Sequence, residues 1–374
     1  MPTTGYTDAL NDALDRMTDL GYERGVGADL ANHGPMGAEA LAALGHGDEV
    51  AAWVECYRTA MPHHEVPARG VPLDPADESS WRAALGDFSR AGDWEELFAR
   101  ELAAAPWREV LVRWWPRLLP GLLAGLTHGL IRTAHAVRSL AAAQDRPTPA
   151  QLTELSRGLA YWAARFAHLP GEVRMTGTQD LASAVAALPR TPYAGERRGR
   201  AAAAHRLAHP AELPGYSEAL TALAPATGHT QWLLTEMTTE FAGVYLGHPE
   251  LFPVPLIHGV TAPAAARLVL PHLPEPLHEP TLAALWHTHT TLLLAFTEGR
   301  AGEAGAARQA REVEAAGELP PFDELVARAV DHGDEHVVKF TEACLREHAL
   351  RPDPRYPAAV LAAQQRIKHR PAKK

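Results

Sequence analysis

The sequence predicts an all-α fold, a single large helical domain over residues 1–374, on three observations. Apolar residues recur at spacings of three and four along most of the chain, the period of one helix face. Alternating apolar–polar runs bounded by turns, the mark of half-buried strands, are nearly absent. The composition is rich in alanine, the strongest helix former. With 374 residues, 46% of them hydrophobic, the chain can bury a sizeable core and is not a disordered polymer.

The elements follow in order. "TDALNDALDRMTDLGY" has helical spacing. "HGPMGAEALAALGHG" reads as a short helix with Pro35 in its first turn, where a missing N–H costs least. "GDEVAAWVECYRTAMP" begins with acids that suit a helix N-terminus and stops at Pro62. Residues 63–78, rich in proline and charge, read as a surface loop. "SSWRAALGDFSRAGDWEELFARELAAAPWREVLVRWWPRLLP" predicts three short helices, and long helices are expected at about 120–141 and 149–167. The segment at about 170–212 is irregular; a split there into two independent domains is the weaker reading. Further helices are expected at 228–246, 262–271, 279–298, 301–316, 321–349 and 355–367. The tail at 367–374, from "RIKHRPAKK", reads as a disordered end.

Charge and cysteine content exclude several classes. A formal net charge of −10 argues against a general nucleic-acid binder. Two cysteines, Cys56 and Cys344, make neither a disulfide framework nor a cysteine-rich metal site. The N-terminus has no basic region followed by an apolar run, so no secretory leader is read there. The most apolar run, "WWPRLLPGLLAGLTHGLI", is broken by Arg117, two prolines and His128, which fits a buried helix junction better than a membrane span. A soluble cytoplasmic protein is expected, with no membrane and no nucleic-acid partner. There is no P-loop, GxSxG elbow or HExxH. "ERGVGADL" lacks the third glycine and the preceding strand of a dinucleotide fingerprint, so NADPH has no visible binding motif.

The twenty histidines carry the remaining information. His287 and His289 in "HTHTT" point in different directions on a helix and read as locally bonded. His63, His64, His205 and His209 lie in polar segments and read as exposed. Five residues stand apart by context. His33 lies in "NHGPM" just before a helix. His128 sits in the apolar "LTHGLIRTAHAV", with His135 seven positions on, roughly 10 Å along the axis. His258 lies in "PLIHGVTAPAAARLVL", with Thr261 as a candidate cap for a following helix. His336 and Lys339 in "DHGDEHVVKF" are three apart on one helix face. In each case the ordinary alternative is a hydrogen-bonded core histidine or a solvated lysine, and spacing alone does not show that they converge.

Four of these pieces, "NHGPMGAEALAALG", "HGLIRTAHAV", "IHGVTAPAAARLVLPHL" and "DEHVVKFTEAC", occur in an order that resembles the questin oxidase-like family, over about residues 30–345. Members include fungal enzymes that open anthraquinone rings. Some are described as Baeyer–Villiger-type oxidases needing NADPH, and one branch is a non-haem iron dioxygenase. The helical pattern allows two lobes with histidines from both halves, and the resemblance implies a central Fe(II) with His33, His128, His258, His336 and a carboxylated Lys339 as ligands. The family's pattern near His128 reads more like His-Pro-Leu-Ile-His, then Gly-Tyr. Arg132 and His135 stand at the later positions here, which makes His128 the better ligand candidate and places His135 beside the ligands or facing substrate.

The chemistry suits these residues. Fe(II) takes imidazole readily. Four neutral histidines leave its charge uncompensated, and a lysine carbamate, formed with CO2, supplies an anionic oxygen where an ammonium would repel. Asp334 and Glu335 stand where they could orient ligands, or be exposed. The expected activity is oxygenation of a small aromatic polyketide-like substrate (anthraquinone, quinone or hydroquinone) with O2, by ring cleavage or oxygen insertion. Trp53, Tyr57 and Trp232 are candidates to line its pocket, with His135 as a further catalytic candidate, and a separate reductase could supply reduced substrate. Two rivals remain, a metal-dependent hydrolase with a carboxylated lysine and a non-catalytic helical binding protein.

Overall fold

The computed structural model describes residues 5–27, 30–143, 146–193, 199–226, 228–300 and 302–369. Their helices are α1 (Tyr6–Arg16), α2 (Gly34–Ala43), α3 (Gly47–Ala60), α4 (Glu78–Ala84), α5 (Ala91–Ala104), α6 (Trp107–Leu118), α7 (His128–Ala142), α8 (Pro149–Ala164) and α9 (Leu181–Ala187). The second half adds α10 (Gly199–Ala208), α11 (Tyr216–Ala219), α12 (Thr230–Gly247), α13 (Val254–Val269), α14 (His278–Phe296), α15 (Glu303–Ala315), α16 (Phe322–His332), α17 (Glu335–Leu350) and α18 (Arg355–Arg366). Two short antiparallel strands, β1 (Glu23–Arg24) and β2 (Leu30–Ala31), pair Glu23 with Ala31 and Arg24 with Leu30. The fold is all-α.

One continuous apolar core joins the halves, running from Tyr22 and Trp94 to Tyr356 and Ala363. Indoles fill much of it. Trp94, Trp114, Trp115, Trp162 and Trp286 are fully buried, and Trp115 meets Trp162 edge to face at 5.3 Å. A buried indole N–H needs an acceptor. Trp115 donates to Thr281 Oγ1, Trp162 to the Gly121 carbonyl and Trp286 to the Ala219 carbonyl. The helix α13 with the turn after it, Val254–His272, is long and apolar enough to cross a membrane, but 78% of that window is buried within the fold, as in a core helix.

Three expected boundaries move. The long helix expected from about 120 starts only at His128, because Gly125, Leu126 and Thr127 all take positive φ (54°, 57° and 67°) and break the chain's direction. The helix expected from 262 starts at Val254, so His258 lies inside it. Thr261 is then no cap; its hydroxyl bonds back to the Ile257 carbonyl. The helix expected over 321–349 is two. Gly333, at φ 72°, ends α16 in the left-handed conformation that suits glycine, and Asp334 caps α17 by accepting from the His336 N–H. In the tail, Ile367–His369 are described, and residues 370–374 lie outside the described residues.

Four helices position the site. α2 packs on α7, α7 on α13, α13 on α17, and α17 returns to α2, closing a ring. Glycines let the neighbours approach. A Cβ at Gly129 in α7 would lie 2.7 Å from the Trp162 backbone of α8, and one at Gly259 in α13 would lie 2.1 Å from the Phe241 ring of α12. Gly129→Val therefore overpacks the α7–α8 crossing, and a destabilisation of about 1–3 kcal/mol is expected in urea unfolding.

Candidate metal centre

Each helix of the ring carries one histidine near its N-terminal end. His33 is the residue before α2, His128 opens α7, His258 is in the second turn of α13, and His336 is in the first turn of α17. Their side-chain nitrogens converge. Ligand atoms of His33, His128 and His336 all lie within 4.8 Å of one another. The His258 ring centroid is 4.5 Å from that of His128.

Each Nδ1 is held from outside the cluster. His33 Nδ1 donates to the Ala31 carbonyl at 2.5 Å, and His128 Nδ1 donates to the Gly125 carbonyl. His258 Nδ1 meets Thr127 Oγ1 at 2.9 Å, and His336 Nδ1 meets Asp334 Oδ1 at 3.1 Å. A carbonyl oxygen only accepts, so in His33 and His128 the Nδ1 must carry the proton. In their neutral rings both Nε2 atoms are then bare lone pairs, and these face each other at 2.7 Å. Two lone pairs repel at that distance unless a cation lies between them. A proton is disfavoured there. Burial pushes the affinity of His33 and His128 for protons well below the ordinary histidine range, and the charge of Lys339 pushes the same way. His258 shifts likewise, first by burial, and among the described residues its buried Nε2 has no hydrogen-bond partner. This donor set could hold a metal ion, with hydrogen bonds to the outer ring nitrogens already in place.

The surroundings fix these rings. Tyr57 accepts from the His33 backbone N–H at 2.7 Å and donates to Asn32 Oδ1 at 2.9 Å. Asn32 Oδ1 also accepts from the Gly34 N–H. Arg24, buried, pairs with Glu335 and lies 4.1 Å over the Tyr57 ring. Asp334 and Glu335, left open between orientation and exposure by sequence, are both buried. Lys339 is buried one turn beyond His336. Burial lowers its pKa to about 7, with Glu335 and Asp334 opposing the shift.

A cavity of about 630 Å³ opens onto the cluster, with His33, His128, His258 and His336 in its wall. Most of the rest is apolar or aromatic, including Leu126, Leu207, Phe252 and Phe296. Its size suits one small organic ligand.

The other candidates stand elsewhere. His135, Trp53 and Tyr57 are not among the residues lining this cavity, which corrects the substrate-facing role expected of them. His135 lies deeper between α2 and α7, with its Nδ1 on Glu39 Oε2 at 2.5 Å. Trp53 stacks on Tyr57 and donates to the Gly333 carbonyl at 2.9 Å, so both support the loops that carry His33 and His336. Trp232 is 49% exposed on a separate groove with Arg351 over its ring. His287 and His289 are buried, but their partners are not local as expected: His287 meets Tyr216 of α11, and His289 meets the Gly259 carbonyl of α13. His205 and His209 are exposed, whereas His63 and His64 are half-buried beside β1, where His63 bridges Arg24. Sequence reasoning missed Thr127 and Asn32. His33, His128 and His258, three of the candidate ligands, are each followed by glycine, as are His46 and His332 outside the cluster.

Tyr57→Phe keeps the ring stack and removes the hydroxyl that holds His33. Metal affinity, read by competition with a chelator, is expected to weaken about 10–100-fold while the fold persists.

The chain matches no model of a known protein family, and no curated protein matches it.

Proposed function

We propose that the chain is a non-haem iron oxygenase acting on an electron-rich, oxygenated aromatic substrate. The observation that carries the metal is the pair of bare Nε2 atoms of His33 and His128 at 2.7 Å, with both Nδ1 protons committed to carbonyls. His336 and His258 would complete a four-imidazole set. Such a set suits iron among several first-row metals, and the resemblance in "NHGPM", "HGLIR", "IHGVT" and "DEHVVK" favours iron. When bound, Fe(II) supplies a site at which dioxygen is activated.

The chain's own residues do the rest. The buried Lys339 amine, in its neutral form, can add CO2 at Nζ and release a proton. It thereby becomes a carbamate whose negative charge offsets the metal's. The largely apolar wall of the cavity can hold an aromatic ring. Against the rival hydrolase, Asp334 and Glu335, the carboxylates grouped with His336, are engaged by His336 and Arg24, which does not suit a base that activates water. If the substrate arrives already reduced, no bound nicotinamide is needed, and a separate reductase could supply it.

Metal analysis of protein produced with Fe(II) is expected to give about one iron per chain. Zinc at one equivalent with no oxygen uptake would favour the hydrolase, and absence of metal the scaffold. His33→Ala is expected to abolish iron binding. Lys339→Ala is expected to lower iron content and abolish oxygen uptake in the presence of reduced quinone. Full activity in that variant rejects the carbamate. Stripping the metal with a chelator removes a ligand that binds only the folded state, and Tm is expected to fall by roughly 5 °C and to return with Fe(II).

A further inference from the structure

Among the described residues, the cavity wall contains one buried hydroxyl that the metal site does not use. Tyr161, on α8, is 2% exposed, and its ring stacks on Tyr22 with centroids 5.7 Å apart. The hydroxyl reaches the Gly125 turn, where a Cβ on Gly125 would lie 2.9 Å from it. That same turn supplies the carbonyl that orients His128. The glycine thus leaves the phenol room beside the histidine cluster.

The phenol proton is loosely held. Its acceptor, Glu23 Oε1, is 3.4 Å away, near the limit of a hydrogen bond. Both Glu23 oxygens are already taken by Arg165, at 2.7 and 2.6 Å. Burial, reinforced by the Glu23 charge, raises the phenol's pKa, so the group stays a neutral donor at physiological pH. The other tyrosine of the wall, Tyr193, is only half-buried and donates to the Ala295 carbonyl. Tyr161 is therefore a neutral donor that can turn to a ligand at little cost.

We propose that Tyr161 is a substrate-binding and specificity residue, whose hydroxyl donates a hydrogen bond to a ring oxygen (phenolate or quinone carbonyl) and so fixes the aromatic ring beside the metal. This rests on the oxygenase reading above and names the chemistry the cavity selects: an aromatic ring bearing an oxygen acceptor, over an unsubstituted hydrocarbon of equal size. A site built to donate to an oxygen discriminates strongly against analogues that lack it.

The test uses the full chain loaded with Fe(II) and the chromophoric probe 4-nitrocatechol. Iron content is measured first. In wild type the probe is expected to bind with a visible band. In Tyr161→Phe, iron content is expected to be unchanged and probe affinity to fall roughly tenfold, the loss of one hydrogen bond to a charged oxygen. The pH at which bound probe passes from monoanion to dianion is expected to rise, because the donor that stabilised the oxyanion is gone; a purely structural role would not move it. Site-specific 3,5-difluorotyrosine at position 161 keeps the shape and strengthens the donor. It is expected to move both readouts the other way, and it serves equally if the phenylalanine variant folds poorly. With iron in place, unchanged affinity and transition pH in these variants overturn the Tyr161 proposal, as does the absence of a probe band in wild type; both leave the metal reading standing. Absence of iron in wild type overturns the oxygenase reading and this one with it.

Discussion

The structure turns on two lone pairs that have nowhere to go. His33 and His128 spend their only ring protons on the Ala31 and Gly125 carbonyls, and so face each other through bare nitrogens at 2.7 Å. Around them the fold is arranged to keep protons out. The rings are buried, and Lys339 adds a further positive charge whenever it is protonated. The histidines also sit at helix N-terminal ends, whose dipoles oppose cationic side chains. The same field favours an anionic partner, which is the role a carbamate would fill. A buried site that disfavours protons yet gathers imidazole lone pairs is a candidate for a metal, and the same positive field would make an anionic ligand beside that metal worth more.

Holding those nitrogens in line needs more than the four anchors. Below the histidine layer, about 10 Å along the helix axes, the same four helices carry a second polar layer. Glu39 of α2 accepts from His135 and Arg138 of α7, and Arg138 pairs onward with Glu342 of α17. Arg346 and Glu347 of α17 continue to the Ala264 carbonyl and to Arg267 of α13. Buried charges of this kind contribute little net stability, since each must be desolvated. Their effect is on register. Sliding any one helix would leave an unpaired charge in the core, a large penalty, so the ring has one low-energy alignment and the histidines inherit it. This is the physical role of His135: it is fixed by Glu39 in the alignment layer and is thereby kept from the cavity.

The helical class and most element ranges were legible because 3.6-residue periodicity is a local property. The places where it failed are the places where the site overrides local preference. The chain turns left-handed at three successive residues, Gly125, Leu126 and Thr127. No propensity forecasts this for Leu and a β-branched Thr, which pay for positive φ. The likeness of the four histidine segments pointed to their grouping, yet spacing could not, because convergence depends on helix packing across the whole chain. Trp53 and Tyr57 were read as pocket lining from their aromatic character, when their hydroxyl and indole N–H are needed to hold loops.

The left-handed turn also shows why strain belongs here. Leu126 and Thr127 lie in a backbone region that costs of order 1–3 kcal/mol per non-glycine residue, and the surrounding fold must impose it. In return, three side chains are served by one turn. The Gly125 carbonyl accepts a hydrogen bond from His128 Nδ1, the Thr127 hydroxyl meets His258, and the missing Gly125 side chain leaves space for the Tyr161 hydroxyl. A relaxed helical start at residue 120 would bury that carbonyl in its own hydrogen-bond ladder. His128 would then be free to choose the other tautomer, with Nε2 protonated and unable to bind a metal. The cost of the turn therefore fixes a protonation pattern as much as a position.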